Sequence, residues 1–92
     1  MTEKELDVIA SRMISPEEKV MLATGLEEAF IGIGRQSNLG VFAVYDKNKC
    51  IDILKQTMSE EEAEEYYQFN IQGAYVGEST PVFVELSSTV LP

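Results

Sequence analysis

Between Phe30 and Asp46 the chain reads FIGIGRQSNLGVFAVYD, two apolar runs separated by a polar tip and punctuated by three glycines. Branched and aromatic residues dominate Ala29 to Ile33 and Val41 to Tyr45, so both runs read as β-strands joined in a hairpin. A phosphate-cradling loop is excluded. The spacing after Gly34 departs from G-x-G-x-x-G, no Gly-Lys-Ser/Thr follows, and no helix opens at the loop. Strict alternation would place Phe30, Gly32 and Gly34 on one strand face and Ala29, Ile31, Ile33 and Arg35 on the other. Two glycines on one face leave a shallow trough that an aromatic ring such as Phe42, a backbone or a ligand must cover.

The flanking segments read as helices. Thr2 and Glu5 have capping-box spacing, and Leu6, Ile9, Ala10 and Met13 follow at i, i+3, i+4, i+7. Ser15-Pro16-Glu17-Glu18 predicts a second helix start, with apolar Val20, Met21 and Ala23 and a stop at Gly25. Asp46 caps a helix expected over Lys47 to Thr57, whose inner face would be Cys50, Ile51 and Leu54. Lys47 and Lys49 lie at its electropositive end, which is unfavourable. Ser59 and Glu62 form another capping box, followed by a helix with Ala63, Tyr66, Tyr67 and Asn70 facing inward. Ala74 to Val76 and Val82 to Leu86 read as short strands joined by Gly77-Glu78-Ser79-Thr80-Pro81, with Pro81 where a strand begins.

The order α-α-β-β-α-α-β-β implies an α+β fold: one small domain with a mostly antiparallel sheet of about four strands and helices on one face. The 92 residues suffice for one core. The expected division is a helical N-terminal extension over 1–26, a core over 27–86 and a frayed tail over 87–92.

Sixteen acids against seven bases give a formal charge of −9. That disfavours direct nucleic-acid binding and docking on anionic lipid, both of which need a cationic surface. The chain has no histidine and one cysteine, which removes Ser-His and Cys-His nucleophile pairs, imidazole catalysis and Cys-rich zinc sites. No enzyme activity, cofactor or metal is expected. No apolar run approaches the ~20 residues of a membrane-spanning helix, and the acidic N-terminus is unlike a signal peptide, so the expected location is the cytoplasm.

Candidate binding residues cluster at the hairpin tip. Arg35, Gln36 and Asn38 suit a carboxylate, a phosphate or a peptide backbone, although a solvated turn is the favoured account of them. Gly32 and Gly34 would floor the trough. Glu60, Glu61, Glu62, Glu64 and Glu65 read as a solvated helix face complementing its N-terminal dipole, with a basic protein partner as the functional counterpart. Tyr67 is a candidate interface anchor within the aromatic set Tyr66, Tyr67, Phe69 and Tyr75, which otherwise reads as half-buried core. Cys50 reads as a small buried apolar residue.

The segments AFIGIGRQ, VFAVYDKNKCIDIL and EEAEEYYQFNIQGAYVGESTPVFV resemble, in order and spacing, a family of small uncharacterised acidic proteins common in tailed-phage genomes. The resemblance covers roughly residues 27–85 and leaves the first 26 as a variable extension. It implies a phage origin and the cytoplasm of an infected host cell, and it supplies no activity. The leading expectation is a non-enzymatic accessory protein or inhibitor that binds a host or phage protein, one with a basic surface being favoured by charge. Homodimerisation would add buried area. The alternative is a small-ligand binder that holds an anion or nucleotide over Gly32 and Gly34 with Arg35. A DNA-mimic inhibitor and a virion component are lesser readings.

Overall fold

The computed structural model describes residues 1–37, 40–74, 77 and 79–89. Helix α1 spans Glu3–Met13 and opens with the expected reciprocal cap. Thr2 accepts from the Glu5 amide, and the Glu5 carboxylate accepts from the Thr2 amide at 3.0 Å. Leu6 and Ala10 are buried where α1 packs on the sheet, whereas Ile9 and Met13 stay exposed.

The helix expected from Ser15 does not form. Ser15 and Glu18 close one turn, with the Ser15 amide donating to the Glu18 carboxylate at 2.8 Å, and the chain then runs on without regular structure to Leu26. The reason is tertiary. Val20 and Leu22 are half-buried against the core while Lys19 and Met21 are exposed, a period of two that suits an extended chain. The Ala23 amide donates to the Tyr45 hydroxyl at 2.7 Å rather than to a helical carbonyl.

After a short 3₁₀ turn over Glu27–Ala29, β1 (Phe30–Gln36) and β2 (Gly40–Asp46) pair antiparallel. A bulge between Phe30 and Gly32 corrects the simple alternation. Phe30 lies opposite Tyr45 but Gly32 lies opposite Val44, so Phe30 joins the Tyr45 face while Gly32 and Gly34 join the other. At the far end of the hairpin Gly40 has φ +81°, a backbone region that glycine enters without steric cost.

Helix α2 spans Lys47–Leu54, ending earlier than expected in a series of turns through Met58. Asp46 caps it, accepting from the Asn48 and Lys49 amides at 2.9 and 3.4 Å. The unfavourably placed Lys47 reaches away from the helix end to Glu85 at 3.4 Å and lies 5.7 Å from the Tyr67 ring centroid. Helix α3 spans Glu60–Tyr66 behind the expected Ser59–Glu62 capping box and continues into a π-helical turn, Tyr67–Gln72. The expected inner face of α3 is narrower in the structure: Ala63 and Tyr67 are buried, and Tyr66 and Asn70 are exposed.

Strand β3, Val82–Val84, pairs with β2 in parallel, giving the sheet order β1-β2-β3. The fold is α+β with a mixed three-stranded sheet among the described residues, rather than four mostly antiparallel strands. Ala74 is outside any strand, and Tyr75 and Val76, which complete the other expected strand, lie outside the described residues. The parallel pairing follows from connectivity: α2 and α3 carry the chain across the sheet, so β3 returns in the direction of β2. Cys50 and Ile51 of α2 and Ala63 of α3 share one core with Ala43 and Tyr45 of β2, which sets the helices on one sheet face.

Four aromatic rings run through this core. Tyr45 meets Phe30 edge-on at 5.7 Å and stacks on Phe83 at 5.6 Å, and Phe83 meets Tyr67 edge-on at 5.7 Å. Burial raises the pKa of three groups here. Desolvation pushes the Cys50 thiol and the Tyr67 phenol each up to about 12, with the nearby Asp46 charge adding to the first, and it raises Tyr45 against the lowering effect of the Ala23 amide. The unfolded chain would ionise Cys50 near 9 and the tyrosines near 10. Stability from these groups is therefore full below about pH 9 and is lost as pH rises towards 12. Thermal melts should show the midpoint falling above pH 9, with a shallower fall in Cys50→Ala than in the wild type. A midpoint independent of pH up to 11 would contradict this.

Candidate functional site

The hairpin-tip residues do not converge on a pocket. Arg35 is exposed, and its guanidinium is engaged internally: Nη2 donates to the Met13 carbonyl at 2.8 Å and to Glu18 at 3.3 Å, closing the end of α1 onto β1. The Ser15 amide first and Arg35 second hold the Glu18 carboxyl below its ordinary range. Gln36 is exposed and pairs with Gly40 across the hairpin. Asn38 lies outside the described residues.

The trough over Gly34 is filled by the protein itself. A Cβ at Gly34 would sit 3.1 Å from the Phe42 ring and 3.2 Å from a Val44 methyl. Gly32, at the bulge, has φ +155° and no neighbour that a Cβ would meet within 4 Å. The two glycines therefore serve different ends, one steric and one conformational.

Tyr67 is not a surface anchor. It is only 2% exposed, with its ring against Phe83. The reason is helical phase: four residues after Ala63, Tyr67 points into the same core. Its neighbours take the surface instead. Tyr66 is 45% exposed and Phe69, on the π-helical turn, is 72% exposed. An i→i+5 turn changes the helical phase, and such turns recur at functional sites.

Tyr66 lines an apolar cleft of about 480 Å³. One wall is the irregular segment 21–26, held by the bond from the Ala23 amide to Tyr45. The others are the end of α2 (Ile53, Leu54), the turn after α3 (Asn70, Ile71) and the approach to β3 (Thr80, Pro81, Phe83). Among the described residues the lining includes no carboxylate, amine or guanidinium. Its polar groups are the hydroxyls of Thr24, Thr80 and Tyr66 and the amide of Asn70. A volume of this size with few polar groups suits an apolar side chain or a compact apolar molecule. A second, shallower hollow of about 510 Å³ adjoins it, sharing Tyr66 and Asn70 and bounded by Met58, Glu62, Glu65 and Phe69.

The cleft was not legible in the sequence because its residues come from four separated segments. The adjoining hollow has one local signal, Phe69, an aromatic residue flanked by polar Gln68 and Asn70 four positions after the glutamate run ends. Those glutamates stay exposed, and among the described residues no three acidic or cysteine side chains come together as a metal site would require. Cys50 is fully buried with its thiol pushed up to about 12, far from a reactive thiolate. No described helix is long and apolar enough to cross a membrane. No family model matches the chain, and neither a curated protein sequence nor a solved structure matches it.

Proposed function

We propose that this chain is a non-enzymatic protein-binding module, an accessory protein or inhibitor of the phage type that its sequence resembles, acting in the host cytoplasm. The observation that carries this reading is the apolar cleft edged by solvent-exposed Met21 and Tyr66, with exposed Phe69 lining the hollow that adjoins it. Exposed aromatic residues around a hollow are how a protein surface anchors a partner, because a few buried rings supply most of the binding energy. Among the described residues the cleft lining offers hydroxyls and one amide but no charged acid or base, which suits binding better than proton transfer. The net charge of −9 favours a partner with a basic surface.

Affinity capture from host cells with the intact chain tests this. The expected result is one specific partner, retained by Gln36→Ala and weakened about tenfold or more by Phe69→Ser, as for an aromatic anchor. Phe69 is exposed enough that the substitution should leave the fold intact. Recovery of no specific partner would overturn the reading.

A further inference from the structure

We infer that the partner segment is basic and amphipathic, placing an apolar side chain in the cleft beside Tyr66 and a Lys or Arg against Glu65 and Glu62 in the adjoining hollow. This rests on the protein-binding reading and specifies its chemistry. The two hollows share Tyr66 and Asn70 in their linings, yet they differ in character: the cleft has no charged lining among the described residues, while the shallower hollow carries two glutamates. One continuous ligand that satisfies both must therefore be apolar at one point and cationic at a neighbouring one.

The two carboxylates differ. Glu62 accepts from the Ser59 amide at 3.3 Å through one carboxylate oxygen as part of the helix cap. Glu65 has no basic partner among the described residues, so a cation arriving there displaces no existing ion pair. Asn70, exposed at the junction, offers both a donor and an acceptor to a partner's backbone. Phe69, with most of its surface in water, supplies the apolar rim beside Glu65. A second copy of this chain is the less suitable occupant, since two molecules of charge −9 repel each other.

The test is selection of displayed random 16-residue peptides on the intact chain, followed by fluorescence anisotropy with the enriched synthetic peptide. Enriched peptides should carry an aromatic or aliphatic anchor with Lys or Arg within a few residues. Glu65→Lys should weaken binding about three- to tenfold, as expected when an exposed ion pair is turned into repulsion. Phe69→Ser should weaken it about tenfold or more, and affinity should fall as salt rises. Circular dichroism melts of both variants establish that they are folded. Enrichment of acidic or uncharged peptides, affinity indifferent to both substitutions, no enrichment, or binding only by self-association in sedimentation would each overturn the inference. A host partner whose capture survives both substitutions would remove this surface while leaving the protein-binding reading in place. Absence of any protein partner would remove both.

Discussion

Replacing Tyr45 by alanine should destabilise the fold by about 3–5 kcal/mol, the range for truncating a buried aromatic residue. Tyr45 is fully buried and links two parts of the structure. Its ring joins Phe30 of β1 to Phe83 of β3, and its hydroxyl holds the Ala23 amide of the irregular segment at 2.7 Å. In a domain of this size that loss would lower the melting midpoint by roughly 4–8 °C per kcal/mol, enough to leave much of the protein unfolded at 37 °C. Tyr45→Phe separates the two roles. It keeps the ring stack, loses one hydrogen bond and should cost only about 0.5–1.5 kcal/mol. Because Ala23 lines the cleft, Tyr45→Phe should also speed amide exchange at Ala23 and weaken partner binding while the core stays folded. Equal losses for the two variants would contradict the structural role assigned to the rings.

Gly34→Val should destabilise by about 1–2 kcal/mol, although a branched residue in a strand is ordinarily favoured. Replacing an interior glycine gains about 0.5–1 kcal/mol from reduced backbone freedom. Against that, a Cβ at Gly34 already lies 3.1 Å from Phe42, and the two further methyls of valine must push the ring aside, at about 1–3 kcal/mol for such overpacking. Overpacking wins. Phe42→Ala removes the obstruction, so the double substitution should be markedly less destabilised than the sum of the singles. Urea denaturation of the four proteins measures this coupling, and strict additivity would mean that the Phe42 ring does not lie over Gly34.

Features whose partners are close in sequence could be read directly. Thr2–Glu5, Ser59–Glu62 and the Asp46 cap need three residues or fewer, and all three form. The hairpin around Gly34 was legible for the same reason. Ser15-Pro16-Glu17-Glu18 carried equally good start signals, yet distant partners decided that segment. Arg35 engages Glu18, and Tyr45 engages the Ala23 amide, so the chain is drawn out along the core instead of coiling. Likewise the parallel register of β3 depends on where two helices set the chain down, which no local pattern encodes. The candidate site failed to be legible on both counts. Tyr67 and Tyr66 are adjacent, and a shift of helical phase decides that the first is core and the second is surface. The cleft beside them is assembled from segments 21–26, 53–54, 66–71 and 80–83, with no motif in common.

The proposed binding of another protein uses the cleft at Tyr66 and the adjoining hollow at Phe69. The most direct measurement places a photo-crosslinking phenylalanine analogue at position 69 in one preparation and at position 36 in another, then irradiates each in host cells. The account predicts one discrete crosslinked adduct from position 69 and none from position 36. Crosslinking from position 36 alone would move the interface to the hairpin tip and contradict it.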